Sequence, residues 1–209
     1  VKHFIFASSG SVYGIKKEKN VTEDLSLYPI STYNKTKMIA ESVLMSSKEK
    51  IKVHCIRPAT VCGLAPRMRF DVSVNMLTIQ ALKNKFIKVF GGKQIRPNIH
   101  IKDLVNVYLH FVKNSSLPSG FYNAGFENIS ILEIAKKIQH YIKTPIKITS
   151  SKDPRSYRIS SKKLLKTGFK PKYNVNFAIK DIIKNFSNKK IKSSSFTVEY
   201  MKTMKLDKS

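Results

Sequence analysis

The chain has 209 residues, 42% of them hydrophobic and 10% aromatic, and no apolar run approaches the roughly 18 residues of a membrane-spanning helix. This composition excludes wholesale disorder and a membrane span. The formal net charge is +26, but only six of the 39 basic residues are arginines and the lysines are spread from Lys2 to Lys208. Because nucleic-acid sites favour clustered arginines, we interpret the charge as a solvated surface and expect neither nucleic acid nor a membrane as the partner.

The first part of the chain is predicted to form two strands with a helix between them. Val1–Phe6 is an apolar run that ends in small residues, as a buried strand followed by a tight turn does. Ser31 is placed to cap a helix from Thr32 to about Ser46, and Ile51–Val61 predicts a second strand, in which Pro58 ends regular pairing. Met38, Ile39, Val43 and Leu44 are expected to supply an apolar face of this helix.

The rest of the chain continues this alternation. The predicted elements are a helix from about Val72 to Lys83, a strand at Ile87–Phe90, an extended piece at Ile99–Ile101, a helix at Asp103–Lys113, a strand at Gly120–Ala124, a helix from Ser130 to Ile142, a strand at Ile146–Thr149 and short helices at Ser160–Thr167 and Asn176–Asn185. Ser130 and Glu133 have the spacing of a capping box. The alternation predicts an α/β fold with a parallel sheet, and the Lys/Ser-rich tail from Ser187 to Ser209 is expected to be frayed.

Three side chains form the candidate catalytic group. Tyr33 and Lys37 are spaced i, i+4, so they share one face of the predicted helix. A phenol is a poor base at neutral pH, and an ammonium held beside it favours the phenolate, which can take a proton from a substrate hydroxyl. Ser9 follows a predicted parallel strand, at the edge of the sheet where such folds bind ligands, and it could hydrogen-bond the same oxygen.

These residues lie in motifs that resemble the extended short-chain dehydrogenase/reductase family, the NAD-dependent sugar-nucleotide epimerases and dehydratases. The matching segments are F-A-S-S-G-S-V-Y-G at Phe6–Gly14, Y-N-K-T-K at Tyr33–Lys37, R-P-A-T-V-C-G at Arg57–Gly63, P-R-M-R-F-D-V-S-V-N at Pro66–Asn75, R-P-N-I-H-I-K-D-L at Arg96–Leu104 and F-Y-N-A-G at Phe121–Gly125. The resemblance implies a Rossmann-like parallel sheet with a smaller α/β substrate lobe. It also implies the cofactor NAD, with NADP not excluded, and a homodimer formed through the Tyr33 helix.

The resemblance further implies the site residues. Ser9, Tyr33 and Lys37 are the catalytic residues, and the cofactor-binding residues are Ser8, Ser9, Tyr33, Lys37 and Pro58. The sugar-nucleotide-binding residues are Thr60, Asn75, Val89, Phe90, Arg96 and Arg155. Asn75 and Arg96 are expected to hold the diphosphate, and Val89 and Phe90 to pack on the base. Arg155 stands in for an arginine of the family that has no clean match here. No metal site is expected, because the two cysteines lack a second Cys/His pair at zinc spacing.

One family feature is missing from these residues. The eight glycines include no three with the G-x-x-G-x-x-G spacing that holds the pyrophosphate of a dinucleotide. We therefore expect the C-terminal portion of a longer enzyme, inactive by itself. Residues 1–63 and 99–125 are assigned to the remnant of the dinucleotide-binding domain, 64–98 and 126–186 to the substrate lobe, and 187–209 to the tail.

The residues that follow the first strand bear on the reaction. At these three positions the dehydratases of the family have a pattern similar to Thr-Asp-Glu. This chain has Ser9, Gly10 and Ser11 instead, with no carboxylate to act as an acid. This favours an epimerase similar to UDP-glucose 4-epimerase. A sibling dehydratase or reductase stays open, as does a non-catalytic nucleic-acid-binding or scaffold protein on the same fold. With only two cysteines, a reducing cytoplasm is the expected location.

Overall fold

The computed structural model describes residues 1–151 and 156–187, so all of the predicted tail 187–209 except Ser187 lies outside the described residues. The strands are β1 (His3–Ala7), β2 (Lys52–Pro58), β3 (Thr60–Cys62), β4 (Ile87–Phe90), β5 (Ile95–His100), β6 (Gly120–Ala124), β7 (Glu127–Ser130) and β8 (Ile146–Thr149). The helices are α1 (Thr32–Ser46), α2 (Ser73–Asn84), α3 (Ile101–Lys113), α4 (Ile131–Tyr141), α5 (Lys162–Leu165) and α6 (Val175–Ser187), and a short 3-10 helix spans Gly10–Tyr13. None of the described helices has the length and apolarity needed to cross a membrane.

The strands of the described ranges form three small sheets. Strands β1, β2 and β6 are parallel neighbours in the order β1-β2-β6, which confirms the parallel α/β sheet. Strand β5 lies between β3, which is parallel to it, and β7, which is antiparallel. Strands β4 and β8 form a parallel pair. A shared apolar core joins α2, α4 and α6 to β4, with Leu77, Val89, Ile134 and Ile179 fully or almost fully buried. A second core packs α3 against the β1-β2-β6 sheet.

The second predicted strand is in fact two strands in different sheets. Strand β2 ends at Pro58, as predicted, and β3 begins at Thr60 and pairs with β5. The intervening Ala59 donates its backbone N–H to the Ala124 oxygen, so the chain leaves one sheet and enters the next within a single residue. Thr60 is thereby held close to the end of β2, a placement that matters for the site described below.

The predicted apolar face of α1 is present but is not buried in the core of the chain. The helix begins at Thr32, and the Ser31 side chain accepts from the Asn34 backbone N–H, as the cap was predicted to do. Its buried residues are polar, however: Asn34 and Glu41, whereas Ile39 and Val43 are 57% and 63% exposed. The hydrophobic pattern does not show which face is buried, because Glu41 has a buried partner on another element, Arg57, which sequence spacing does not reveal.

The start of α4 follows local rules more closely. The Ser130 hydroxyl accepts from the Glu133 backbone N–H, and the Glu133 carboxylate accepts from the Ser130 N–H, which confirms the capping box. The sequence did not reveal that residues 127–130 also form β7, whose pairing with β5 orients the entry to α4.

The paired side chains of His3 on β1 and His54 on β2 predict how the free energy of unfolding depends on pH. The buried His54 Nε2 donates to the Leu117 oxygen (3.0 Å), so its Nδ1 accepts from His3 Nε2 (2.8 Å). Burial lowers the pKa of His54 in the folded chain. At mildly acidic pH the unfolded chain therefore binds a proton at this histidine more readily than the folded chain does. Stability should therefore be full above pH 7 and fall as the pH drops below about 6.5, the ordinary imidazole value.

Urea unfolding at pH 7.5 and pH 5.5 measures this dependence. His54→Gln should reduce the loss of stability on acidification, although part of it should remain because burial also lowers the pKa of His100 and His110. The control is His140→Gln at an exposed position on α4, which should leave the loss unchanged. If His54→Gln loses as much stability on acidification as the wild type does, His54 is not a source of the pH dependence.

Candidate active site

Tyr33 and Lys37 lie on the first turns of α1, beside the end of β1. The Lys37 Nζ donates to the Ala7 oxygen at 2.7 Å and lies 5.7 Å from the centre of the Tyr33 ring. It also lies 4.9 Å from the centre of the Phe6 ring. The ammonium thus stands between the last residues of β1 and the tyrosine, and Tyr33 is 55% exposed, which leaves it accessible to a ligand.

A chain of hydrogen bonds joins Ser9 to the same helix. The Ser9 Oγ accepts from the Ser11 backbone N–H at 3.2 Å and lies 2.7 Å from the Ser11 Oγ. The Ser11 hydroxyl donates to the Asn34 Oδ1 at 2.7 Å, and Asn34 is the residue after Tyr33. The structure therefore places Lys37 beside Tyr33 and joins Ser9 through Ser11 to the residue after Tyr33. The catalytic roles of Ser9, Tyr33 and Lys37 stay predictions.

A buried ion pair sets the position of α1 relative to the sheet. Arg57 on β2 donates from Nε and Nη2 to both oxygens of Glu41, at 2.8 and 2.7 Å, and both side chains are almost fully buried. A further Arg57 nitrogen donates to the Tyr13 hydroxyl, which donates to Asn123 on β6. Burial raises the pKa of Tyr13 to about 12, so this phenol stays neutral and is a structural partner in the network.

The residues predicted for the nicotinamide end of NAD lie at the ends of β1 and β2. Ser8 is buried and its Oγ has no hydrogen-bond partner among the described residues, an arrangement that fits an added polar ligand. A Cβ on Gly10 would lie 3.1 Å from the Pro58 oxygen and 2.7 Å from the end of the Ile159 side chain, so a glycine favours this close approach. The unpartnered Ser8 hydroxyl fits the nicotinamide end, the roles of Pro58 and Lys37 there stay predictions, and the chain's glycines offer no pyrophosphate loop.

Several predicted sugar-nucleotide residues line one cavity. The cavity has a volume of about 330 Å³ and lies between α2, β4 and β5. Thr60, Phe90 and Arg96 are among its lining residues, and Thr60 lies two residues beyond Pro58. The cavity therefore adjoins the nicotinamide end through the short segment between β2 and β3. Arg155 lies outside the described residues.

Two predicted contacts do not face this cavity with their side chains. Val89 is fully buried in the core under α2 and α4. Neighbouring residues of a strand point to opposite faces, so the side chain of Phe90 lies on the outer face of β4. Asn75 is 2% exposed, and its amide binds the Gly63 N–H and the Arg69 oxygen, so it fixes the loop before α2. Their roles toward a nucleotide remain predictions.

Sequence reasoning missed Lys88, which also lines the cavity. Lys88 and Phe90 point to the same face of β4, and the Lys88 Nζ lies 4.8 Å from the centre of the Phe90 ring. The two-residue spacing within a predicted strand is a signal that could have identified it. An ammonium and the Arg96 guanidinium in one cavity suit an anionic group, since the Asp71 carboxylate that also lines the cavity is paired with Arg69.

Comparison with known proteins agrees with this architecture. Residues 1–125 match the NAD dependent epimerase/dehydratase family model. Among curated relatives, an uncharacterized UDP-glucose epimerase, YtcB, of Bacillus subtilis (strain 168) is 34% identical over 143 residues, which cover 66% of this chain and 44% of the relative. UDP-glucose 4-epimerase of Lactobacillus helveticus is 29% identical over 165 residues, covering 66% of this chain and 49% of the relative.

A solved structure gives the same fold. The UDP-glucuronic acid 4-epimerase of Bacillus cereus, in complex with UDP-glucuronic acid and NAD, superimposes with a TM-score of 0.77 at 24% identity and covers 89% of this chain and 62% of its own. The fold is therefore that of the Rossmann-type epimerases and dehydratases. Since the family match takes in more than half of the chain, the protein belongs to the NAD dependent epimerase/dehydratase family. The chain spans about half the length of the two curated relatives.

Proposed function

We propose that this chain carries the catalytic residues and the substrate lobe of an NAD-dependent nucleotide-sugar epimerase similar to UDP-glucose 4-epimerase. The observation that carries the proposal is that Lys37 lies beside the Tyr33 ring at the end of β1, while Ser9 is joined through Ser11 to Asn34 of the same helix. Thr60, two residues beyond Pro58 at the end of β2, lines the cavity that also contains Phe90 and Arg96. A hydroxyl, a phenol and an ammonium near the end of β1 suit the oxidation of a sugar hydroxyl, and the basic side chains of the cavity suit a nucleotide diphosphate.

Each of these residues has a role in that reaction. Tyr33 takes the proton from the sugar hydroxyl and gives it back, and the Lys37 ammonium stabilises the phenolate between these steps. Ser9 orients the reacting oxygen, and Arg96 together with Lys88 offsets the charge of the diphosphate. NAD, when bound, supplies a hydride acceptor that can return the hydride to either face of the sugar carbon. Ser8, Pro58 and Lys37 are proposed to hold its nicotinamide end.

The epimerase is favoured over a dehydratase by the residues that follow β1. Water elimination needs a group that can donate a proton to the leaving hydroxyl. Ser9, Gly10 and Ser11 supply no carboxylate, and the Ser11 hydroxyl proton is committed to the Asn34 amide oxygen. Epimerisation needs only one oxygen to lose and regain a proton, and the three catalytic residues suffice for that.

The proposal is tested with the protein expressed from its complete gene. Incubation with UDP-glucose and NAD, and in parallel with NADP, should give UDP-galactose, detected by chromatography. The 209-residue chain by itself should give none. A product that has lost water, or one that shows net reduction, would replace the epimerase with the corresponding sibling enzyme. Absence of any product from a panel of UDP- and dTDP-sugars would contradict a nucleotide-sugar enzyme.

We also propose that α1 lies at an interface between two copies of the protein. Ile39 and Val43 are spaced i, i+4 and are 57% and 63% exposed, so one face of the Tyr33 helix presents apolar side chains. Covering them in a dimer removes this apolar surface from water. Sedimentation equilibrium should show a dimer for the wild type and a monomer for Val43→Asp. A wild type that stays monomeric at high micromolar concentration would contradict the proposal.

A further inference from the structure

A carboxylate lies in the cavity that is proposed to bind a diphosphate. Asp71 lines this cavity together with Lys88 and Arg96, and among the described residues that line it Asp71 is the only acidic one. A negative charge at this place opposes an anionic ligand, whereas the two basic side chains attract it. The affinity of the cavity for a diphosphate therefore depends on how the charge of Asp71 is compensated.

Arg69 compensates this charge from outside the lining of the cavity. The Arg69 Nε donates to the Asp71 Oδ1 at 3.0 Å and the Arg69 Nη2 donates to the Oδ2 at 2.6 Å, so one planar guanidinium engages both carboxylate oxygens. The hydrogen bonds from Arg69 lower the pKa of Asp71, which keeps the carboxylate ionised at neutral pH. The Asp71 side chain is 22% exposed and the Arg69 side chain 67%, and Arg69 is not among the residues that line the cavity.

The start of α2 is the place to which a released Asp71 carboxylate would turn. Val72 and Ser73 line the cavity, and no side chain caps the N-terminus of this helix. The first N–H groups of a helix carry partial positive charge and attract an anion. Asp71 is two residues before Ser73, so without Arg69 its carboxylate would compete with the anionic group of a ligand for these N–H groups.

We infer that Arg69 is a positioning residue for the nucleotide sugar: by holding Asp71, it keeps this carboxylate from opposing the diphosphate in the cavity. The inference rests on the proposed function, because that function supplies the diphosphate. Arg69 acts through Asp71 and not by contact with the phosphates. The affinity therefore requires Arg69 only while residue 71 carries a charge, so the effects of substituting the two residues are not additive.

The test measures the binding of UDP, which carries the diphosphate and has no sugar to react. Calorimetry is done at low ionic strength with NAD present, on the protein expressed from its complete gene. Arg69→Met should weaken UDP binding about tenfold, because an unpaired negative charge then faces the diphosphate. Asp71→Asn should bind UDP at least as tightly as the wild type. Arg69→Met combined with Asp71→Asn has the net charge of the wild type and should bind UDP within about twofold of it.

Two controls separate this role from a general effect of charge. Lys143→Met removes a cation at an exposed position that does not line the cavity, and it should leave the affinity for UDP unchanged. Added salt should reduce the difference between Arg69→Met and the wild type, since salt screens the repulsion by Asp71. Because the Arg69–Asp71 pair is largely exposed, its loss should cost little stability, and all the variants should fold.

The double variant decides between the alternatives. If it binds UDP as weakly as Arg69→Met does, Arg69 contacts the phosphates itself or has a purely structural role, and the inference is overturned. Wild-type affinity in Arg69→Met would also overturn it, and would leave the proposed function standing. Failure of the wild type to bind UDP, together with no turnover of any nucleotide sugar, would remove the proposed function and the inference with it.

Discussion

Tyr33→Phe is expected to lower the rate of UDP-glucose epimerisation by about 10³-fold, within the range that general acid–base catalysis contributes. The substitution removes the hydroxyl oxygen that takes the proton and keeps the ring beside the Lys37 ammonium. Since the nucleotide contacts are untouched, the KM for UDP-glucose should change little, and the loss should appear in kcat.

A control on the same helix separates chemistry from folding. Thr36 is exposed, and its hydroxyl donates only to the Tyr33 backbone oxygen, so Thr36→Ala should retain nearly full activity. Both variants should unfold at the same temperature as the wild type within a few degrees. Turnover by Tyr33→Phe at the wild-type rate would exclude this tyrosine as the base.

Arg57→Met is expected to lower the free energy of unfolding by about 3–5 kcal/mol, because it leaves the buried Glu41 carboxylate without its partner. The residual stability should be measured by urea denaturation. The effect should also reach the active site, since the pair holds α1, and with it Tyr33, against β2.

Two comparisons check this cause. Arg57→Met combined with Glu41→Leu removes both buried charges and should recover part of the stability that Arg57→Met loses. Arg69→Met breaks the ion pair with Asp71, in which the arginine is largely exposed, and should cost less than about 1 kcal/mol. If adding Glu41→Leu destabilises the Arg57→Met variant further, as another substitution in the core would, the unpaired charge of Glu41 is not the cause of the lost stability.

The features that the sequence predicted well are those decided by neighbours along the chain. The Ser31 cap and the Ser130–Glu133 capping box need only residues three apart. Strand β4 was predicted with its exact bounds, since an apolar run ends in a Gly-Gly turn there. The family motifs likewise identified the fold, which the family match confirms.

The features that the sequence did not reveal are decided by contacts between distant segments. The buried face of α1 does not follow hydrophobicity, because Glu41 is buried by Arg57, 16 residues away, and Asn34 by Ser11, 23 residues away. Val89 and Phe90 were assigned one role, although a strand places them on opposite faces. The exchange of sheets at Ala59 depends on where β5 and β6 lie, which no local pattern encodes.

The most direct measurement of the central claim uses UDP-glucose labelled with deuterium at C4. If Tyr33 and Ser9 serve an oxidation that is reversed at the same carbon, the UDP-galactose formed in ordinary water should keep the deuterium at C4. Nuclear magnetic resonance of the product reports its position. Product without the label, or a label found at another carbon after loss of water, would contradict the account.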